Sequence, residues 1–357
     1  MLKGGHMENI IINEQRNTSI DLTKCPKFIK EYINFILTIE NLSINTVTDY
    51  YIAIMDFTKY MISYKKRITF FEDNIGMYKN IFEKVNEKFY SSISKNDMYE
   101  YLSHLRIDKK NSPSTITTRL RQIKSFYTYL EEKYEIKNRI RLTKSPRQEK
   151  RQINYLTLEE AKQLIDTLAK EIEISKRNKS KNTWLKYRNL CIVILFLNCA
   201  VRRNELVNIK KINIRNNTIK VMGKGKKERT IYLNDITKDS IEQYLNHIPK
   251  NFEQSDYLFV TKKYHANELK KMTDQSVYCL IKKSFEKAGL DASKYAVHTL
   301  RHTSATLLYN YSNIDLRSLQ EILGHSSSRT TEIYTHVNNK KIEEAISKNP
   351  LNHTGEF

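Results

Sequence analysis

Five short segments carry side chains whose types suit chemistry on a phosphate ester. Arg202 and Glu205 stand three apart in AVRRNEL, directly after a strongly apolar stretch. Lys224 lies between two glycines in VMGKGKKERTIYL. His298, Arg301 and His302 occupy positions i, i+3 and i+4 in HTLRH. His325 follows Gly324 in LGHSS, and Tyr334 comes nine residues later in TTEIYTH. Transesterification at a phosphodiester needs a nucleophile, cations around the non-bridging oxygens and a proton donor for the leaving oxygen. Arg202 and Arg301 can supply two planar, permanently charged forks. A lysine on a turn between glycines can swing toward a leaving oxygen. His298 and Arg301 share one helical face and can point at a single phosphate. Glu205, three residues after Arg202, can hold that guanidinium in place.

Taken singly, each segment has an ordinary structural explanation. Arg-x-x-Glu is a common surface helical pair, GKG is a common hairpin turn, and Tyr334 is one of 23 tyrosines. His298 and His302 have the i, i+4 spacing of a zinc pair, but the glutamate of HExxH is missing, so no metal is expected. The four cysteines, Cys25, Cys191, Cys199 and Cys279, form no CxxC pair, which argues against a cysteine zinc site. Their order and spacing, taken jointly, are what set these five segments apart.

The elements that must position them can be read from periodicity. Val47, Tyr50, Ile54, Phe57 and Met61 recur at spacings of three and four, as do Ile116, Leu120, Ile123, Tyr127 and Leu130. Both describe the apolar stripe of an amphipathic helix. Ser94-Lys95-Asn96-Asp97 predicts a helix start, and Pro113 suits the first turn of another. Thr157-Leu158-Glu159-Glu160 is a capping-box pattern, followed by Ala161, Leu164, Ile165 and Leu168 on one face. A surface loop is expected over 175–181. A buried helix is expected around 190–197, with Cys191 and Cys199 as core residues. Ile212, Ile214, Ile219 and Val221 alternate around Asn216-Asn217, a hairpin signal, with a third strand from Thr230 to Leu233 and helices from there to about Ile346.

These signals predict a mainly α chain with a small antiparallel β-sheet. The expected parts are a polar, Asn-rich stretch at 1–24 that is disordered or tag-derived, with MLKGGHM set aside as a tag remnant ahead of a native Met7, a helical domain over 25–135, a basic linker at 136–152, and a mixed α/β domain over 153–357. The connection at 64–91 holds Phe70, Phe71, Tyr78 and Phe82 and is expected to pack. The chain carries 61 Lys and Arg against 40 Asp and Glu, a net charge of +21, which attracts polyanions and points to nucleic acid. The apolar run Leu190 to Leu197 is far short of the ~20 residues that span a bilayer. Scattered cysteines fit a reducing cytoplasm.

The five segments together resemble the tyrosine recombinase (phage integrase) family, most closely its Xer-like branch. AVRRNEL is similar to the family's first-arginine motif GLRxSEL. Here Ala200 replaces the usual glycine, Arg203-Asn204 replace the usual aliphatic-serine pair, and Glu205-Leu206 fix the register on Arg202 rather than Arg203. VMGKGKKERTIYL resembles the hairpin with the catalytic lysine, HTLRHTSAT the HxLRH box, and LGHSSSRTTEIYTH the LGHxxxxxTxxYxH box. More weakly, SPSTITTRLRQIKSFYTYL resembles the last helix of the family's core-binding domain. The resemblance implies a C-shaped clamp of a core-binding and a catalytic domain around duplex DNA. It assigns Tyr334 as nucleophile, Arg202, Lys224, His298, Arg301 and His325 as further catalytic residues, and Glu205 as their support. It implies no metal and no nucleotide cofactor, because each ester bond broken is replaced by another. It further implies a homotetramer on two recombination sites, a Holliday-junction intermediate, an accessory or activating protein, and a nucleoid-associated location. A helix near 338–349 would dock on a neighbouring protomer or on its own domain. Type IB topoisomerases, telomere resolvases and an inactive DNA-binding protein are the alternatives.

Overall fold

A computed structural model of the chain describes residues 10–13, 18–66, 82, 85–147, 154–223, 228–249, 255–262, 269–312 and 314–324. The chain divides into two compact units, Met1–Lys150 and Arg151–Phe357.

Among the described residues the first unit holds five helices: α1 (Lys27–Thr38), α2 (Ile44–Lys66), α3 (Glu87–Ser91), α4 (Lys95–Ile107) and α5 (Pro113–Tyr134). The caps read from sequence are present. Ser94 and Asp97 form a reciprocal capping box on α4, and Pro113 opens α5 behind the Ser112 cap. The two predicted stripes face inward: Val47, Ile54, Phe57 and Met61 of α2 and Ile116, Leu120, Ile123, Tyr127 and Leu130 of α5 are all buried. α5 ends where Glu135 adopts a left-handed conformation, φ +54°.

Two expectations for this unit need correction. Part of the 1–24 stretch is ordered: β1 (Ile10–Asn13) pairs antiparallel with β2 (Thr18–Asp21), because Ile11 and Ile20 reach the helical core. The linker does not begin at 136, since Ile136 and Ile140 are buried in the same core and Lys124 donates to the Thr143 carbonyl at 2.7 Å. Of the 64–91 connection, Phe82 and Val85 pack into the core, whereas 67–81 lies outside the described residues.

The second unit opens with α6 (Leu158–Arg177), capped by the predicted Thr157–Glu160 box. α7 (Thr183–Cys199) is apolar on almost every side and buries Cys191 through Leu197, as a central core helix should. The expected loop at 175–181 is shorter, because α6 continues to Arg177 and buried Ser175 meets Thr183 at 2.9 Å. After α8 (Arg203–Val207) comes a three-stranded antiparallel sheet, β3 (Ile214–Arg215), β4 (Thr218–Met222) and β5 (Glu228–Tyr232), in that order. Asn216 takes the positive φ that the β3–β4 turn requires, +50°. Ile212 is a correction: it lies in a 3-10 turn, exposed, rather than on the strand.

α9 (Asp235–His247) follows, packed on α7. The chain is not helical throughout from there. A short hairpin, β6 (Val260–Lys262) and β7 (Leu269–Lys271), precedes α10 (Asp274–Lys287). Buried Arg188 of α7 donates to the Val260 carbonyl at 2.8 Å and ties this hairpin down. α11 (Val297–Tyr311) packs on α7, and α12 (Leu316–Leu323) packs on α11. The start of α12 is capped by Asp315, which accepts from the Arg317 and Ser318 amides. Gly324, in a left-handed conformation, ends it.

Candidate active site

The site lies where α7, α8, β5, α11 and the end of α12 come together. α7 stops at Ala200, whose φ is +48°. That conformation is costly for any residue with a Cβ, which explains the glycine usual in similar motifs. The turn delivers Arg202 to the start of α8, where Glu205 accepts the Arg202 amide at 2.8 Å and Arg202 Nη1 at 2.7 Å. The carboxylate is buried. Arg203 lies 3.7 Å from Asp274, so of the two neighbouring arginines it is Arg202 that Glu205 holds.

Arg301 rises from the buried side of α11 and donates to the Ala200 carbonyl and, through its other terminal nitrogen, to the Leu323 carbonyl. Arg202 Nη2 donates to the Gly324 carbonyl at 2.6 Å. The two arginines thus meet at neighbouring carbonyls of the α12 terminus, the negative end of the helix. His298, three residues before Arg301, is exposed on the first turn of α11. Partial desolvation and then the charges of Arg203, Arg301 and Arg202 push its pKa down. His302 is held lower still, at about 4, by burial and by His298 and Arg301. Both imidazoles are therefore neutral at pH 7.

One residue of the cluster escaped sequence reasoning. Arg229 on β5 donates through Nε and Nη2 to the two Glu205 oxygens, at 3.2 and 2.6 Å, and through Nη1 to the Ile322 carbonyl. Glu205 therefore lies between two guanidinium groups. Burial alone would raise its pKa, but Arg229 first and Arg202 second overcome this and hold it at about 2. The signal for Arg229 was its parity: it alternates with Ile231 and Leu233, which are buried, and pairs across the sheet with buried Val221.

Of the residues singled out from sequence, the structure brings together Arg202, Glu205, Arg301 and His298. Lys224, His325, Tyr334 and the 338–349 segment lie outside the described residues. Among the described residues no cluster of three or more His, Cys, Asp or Glu could hold a metal ion, and no helix is long and apolar enough to cross a membrane.

Residues 154–341, more than half of the chain, match the phage integrase family. The chain belongs to that family. The recombinase is 35% identical over 343 residues to tyrosine recombinase XerC of Caldanaerobacter subterraneus subsp. tengcongensis, covering 95% of this chain and 91% of the relative. It is 30% identical to tyrosine recombinase XerD of Staphylococcus haemolyticus, covering 90% and 97%. It is a tyrosine recombinase of the Xer-like branch, an enzyme of site-specific recombination. Its fold is similar to that of XerH site-specific recombinase bound to a palindromic difH substrate, with TM-score 0.62, 22% identity and coverage of 86% of this chain and 81% of the other. It is also similar to the Tn1549 transposon integrase in complex with circular intermediate DNA, with TM-score 0.58, 16% identity and coverage of 83% and 99%.

Proposed function

We propose that this recombinase cuts and rejoins duplex DNA at two specific sites through a 3′-phosphotyrosyl intermediate on Tyr334. The observation that carries the reading is the convergence of Arg202 and Arg301 on adjacent carbonyls. Two buried or half-buried guanidinium groups held at one point can grip the non-bridging oxygens of a single phosphate. Glu205 fixes the first of them without neutralising the second.

In this reading Tyr334 attacks the scissile phosphorus. A free phenol ionises near pH ~10, so the surrounding cations must favour its phenolate. Arg202, Arg301 and His325 stabilise the charge that develops on the phosphoryl oxygens. His298 is neutral at pH 7 and so able to accept the tyrosine proton. Lys224 protonates the departing 5′-oxygen. A partner strand's 5′-hydroxyl then attacks the phosphotyrosine, giving a Holliday junction. The number of ester bonds is conserved throughout, so the exchange needs no nucleotide energy source. Four protomers act on the two sites. The 25–135 unit supplies further DNA contacts, and the net charge of +21 makes binding fall steeply with salt. Chromosome-dimer resolution and movement of a mobile element are both roles for such a reaction. An accessory or activating protein, and a place on the nucleoid in the cytoplasm, accompany either role.

The test is a nicked suicide duplex, labelled beside the break, resolved on a denaturing gel. The wild-type chain should become covalently labelled, and Tyr334→Phe should bind the DNA without labelling; an adduct on the Phe variant removes Tyr334 as nucleophile. Lys224→Ala should cleave slowly, yet cleave normally when the leaving atom is sulfur, which needs no proton.

A further inference from the structure

The end of α12 is held by three guanidinium groups on three consecutive carbonyls: Arg229 on Ile322, Arg301 on Leu323 and Arg202 on Gly324. Two of these arginines are assigned above to the phosphate. The third comes from β5, and two of its three donor nitrogens are spent on Glu205. We propose that Arg229 is a positioning residue, which sets the rate of DNA cleavage by fixing Glu205, and through it Arg202, against the end of α12. The proposal rests on the recombinase reading of the same site.

The geometry leaves Arg229 little other work. Its side chain is largely buried, 12% exposed, on the inward face of β5. The Glu205 carboxylate receives four hydrogen bonds, two from Arg229 and two from Arg202. With Arg229 removed, the buried carboxylate keeps only its two bonds to Arg202, from the amide and from Nη1, and loses the pair that ties it and Arg202 to β5. A Cβ on Gly324 would stand 2.8 Å from Arg229 Cδ and 3.3 Å from its Nε, so the guanidinium stem also sets how closely the chain before His325 approaches the sheet. A catalytic group displaced by about 1 Å can lose ~100-fold in rate. A residue that only added charge for DNA would instead change affinity and its salt dependence.

The experiment uses the full chain and a suicide duplex carrying the site recovered from wild-type covalent adducts. Under single turnover at saturating DNA, Arg229→Met should cleave about 100-fold more slowly, with affinity for the site kept within about threefold. Arg229→Lys keeps the charge but lacks the planar fork, and should bind normally and cleave about tenfold more slowly; it decides the matter if the Met variant does not fold. Adding Glu205→Gln to Arg229→Met should cost no more than the worse single change, since both act through one carboxylate. Wild-type cleavage by both Arg229 variants, lost affinity with an unchanged rate, or multiplicative losses in the double variant would each overturn the proposal. A wild-type chain that forms no adduct would overturn the recombinase reading instead.

Discussion

The two units bury different things. The first unit's core is aromatic: Tyr32, Tyr90, Tyr101, Tyr127, Phe57 and Phe126 are fully buried, and many meet edge-on, as Tyr90 does Phe126 with ring centroids 5.3 Å apart. Its ion pairs, such as Arg119–Asp56 at 2.6 Å and Lys133–Glu31 at 2.5 Å, stay at the surface. The second unit buries Arg188, Glu205 and Arg301. Buried charge costs several kcal/mol unless its hydrogen bonds are met, so a fold that carries three such groups has them for a reason. Arg188 ties down a hairpin, and the other two belong to one cluster at the end of α12. The contrast agrees with the proposed site in the second unit, whereas the first unit turns ion pairs such as Arg119–Asp56 outward.

The strongest way to break this contrast is to remove a charge from each unit. Arg301→Ala should slow cleavage about 10²–10³-fold and destabilise the second unit by ~2–3 kcal/mol, because the Ala200 and Leu323 carbonyls lose a charged donor. Arg119→Ala should cost ~1 kcal/mol or less and leave single-turnover cleavage unchanged; comparable losses from both would erase the distinction.

Glu205 sharpens it through pH. Its folded pKa, about 2, lies below its ordinary 4.5, so the unfolded chain binds this proton first as pH falls. The contribution of the carboxylate is therefore complete above about pH 5 and lost as pH falls from 4.5 toward 2. Glu205→Gln should flatten that acid limb and lower neutral-pH stability by ~3 kcal/mol. Fluorescence of Trp184, the single tryptophan, reports this from the second unit's core. An unchanged acid limb would mean that the carboxylate is not held as described.

A smaller effect is expected in the aromatic core. Tyr127 donates to the Tyr90 carbonyl at 3.2 Å, and Tyr127→Phe should cost ~1 kcal/mol in a denaturant melt followed by circular dichroism. Ala200→Gly should do least. Relief of the left-handed conformation, ~1 kcal/mol, opposes loss of a buried methyl, ~0.8 kcal/mol, so the melting midpoint should barely move. A large gain would show that strain at Ala200 outweighs its packing against Leu319 and Leu323.

Local signals made much of this readable in advance. Ser94, Pro113 and Thr157 announced three helix starts because capping is written within four residues. Glu205 chose Arg202 over Arg203 because their spacing is one helical turn. Features that depend on distant packing stayed hidden. β1 and β2 lie in a stretch that reads as polar and disordered, and only the burial of Ile11 and Ile20 on the helical core makes them a hairpin. Leu269-Lys270-Lys271 has too little apolar alternation to announce a strand. Arg229 was masked by the basic run KGKKER, where a single inward charge is visible only after the strand's parity is known. No sequence pattern states that three arginines will finish on successive carbonyls, since they arrive from three elements.

That arrangement makes α12 a gauge of fixed length. Its start is pinned by Asp315 and its finish by the arginines. Inserting one residue between them would advance the terminus by about 1.5 Å and turn it by about 100°. Every carbonyl would then be mismatched with its guanidinium at once. This eight-residue helix should therefore accept substitution on its outer face but no change in its count of residues.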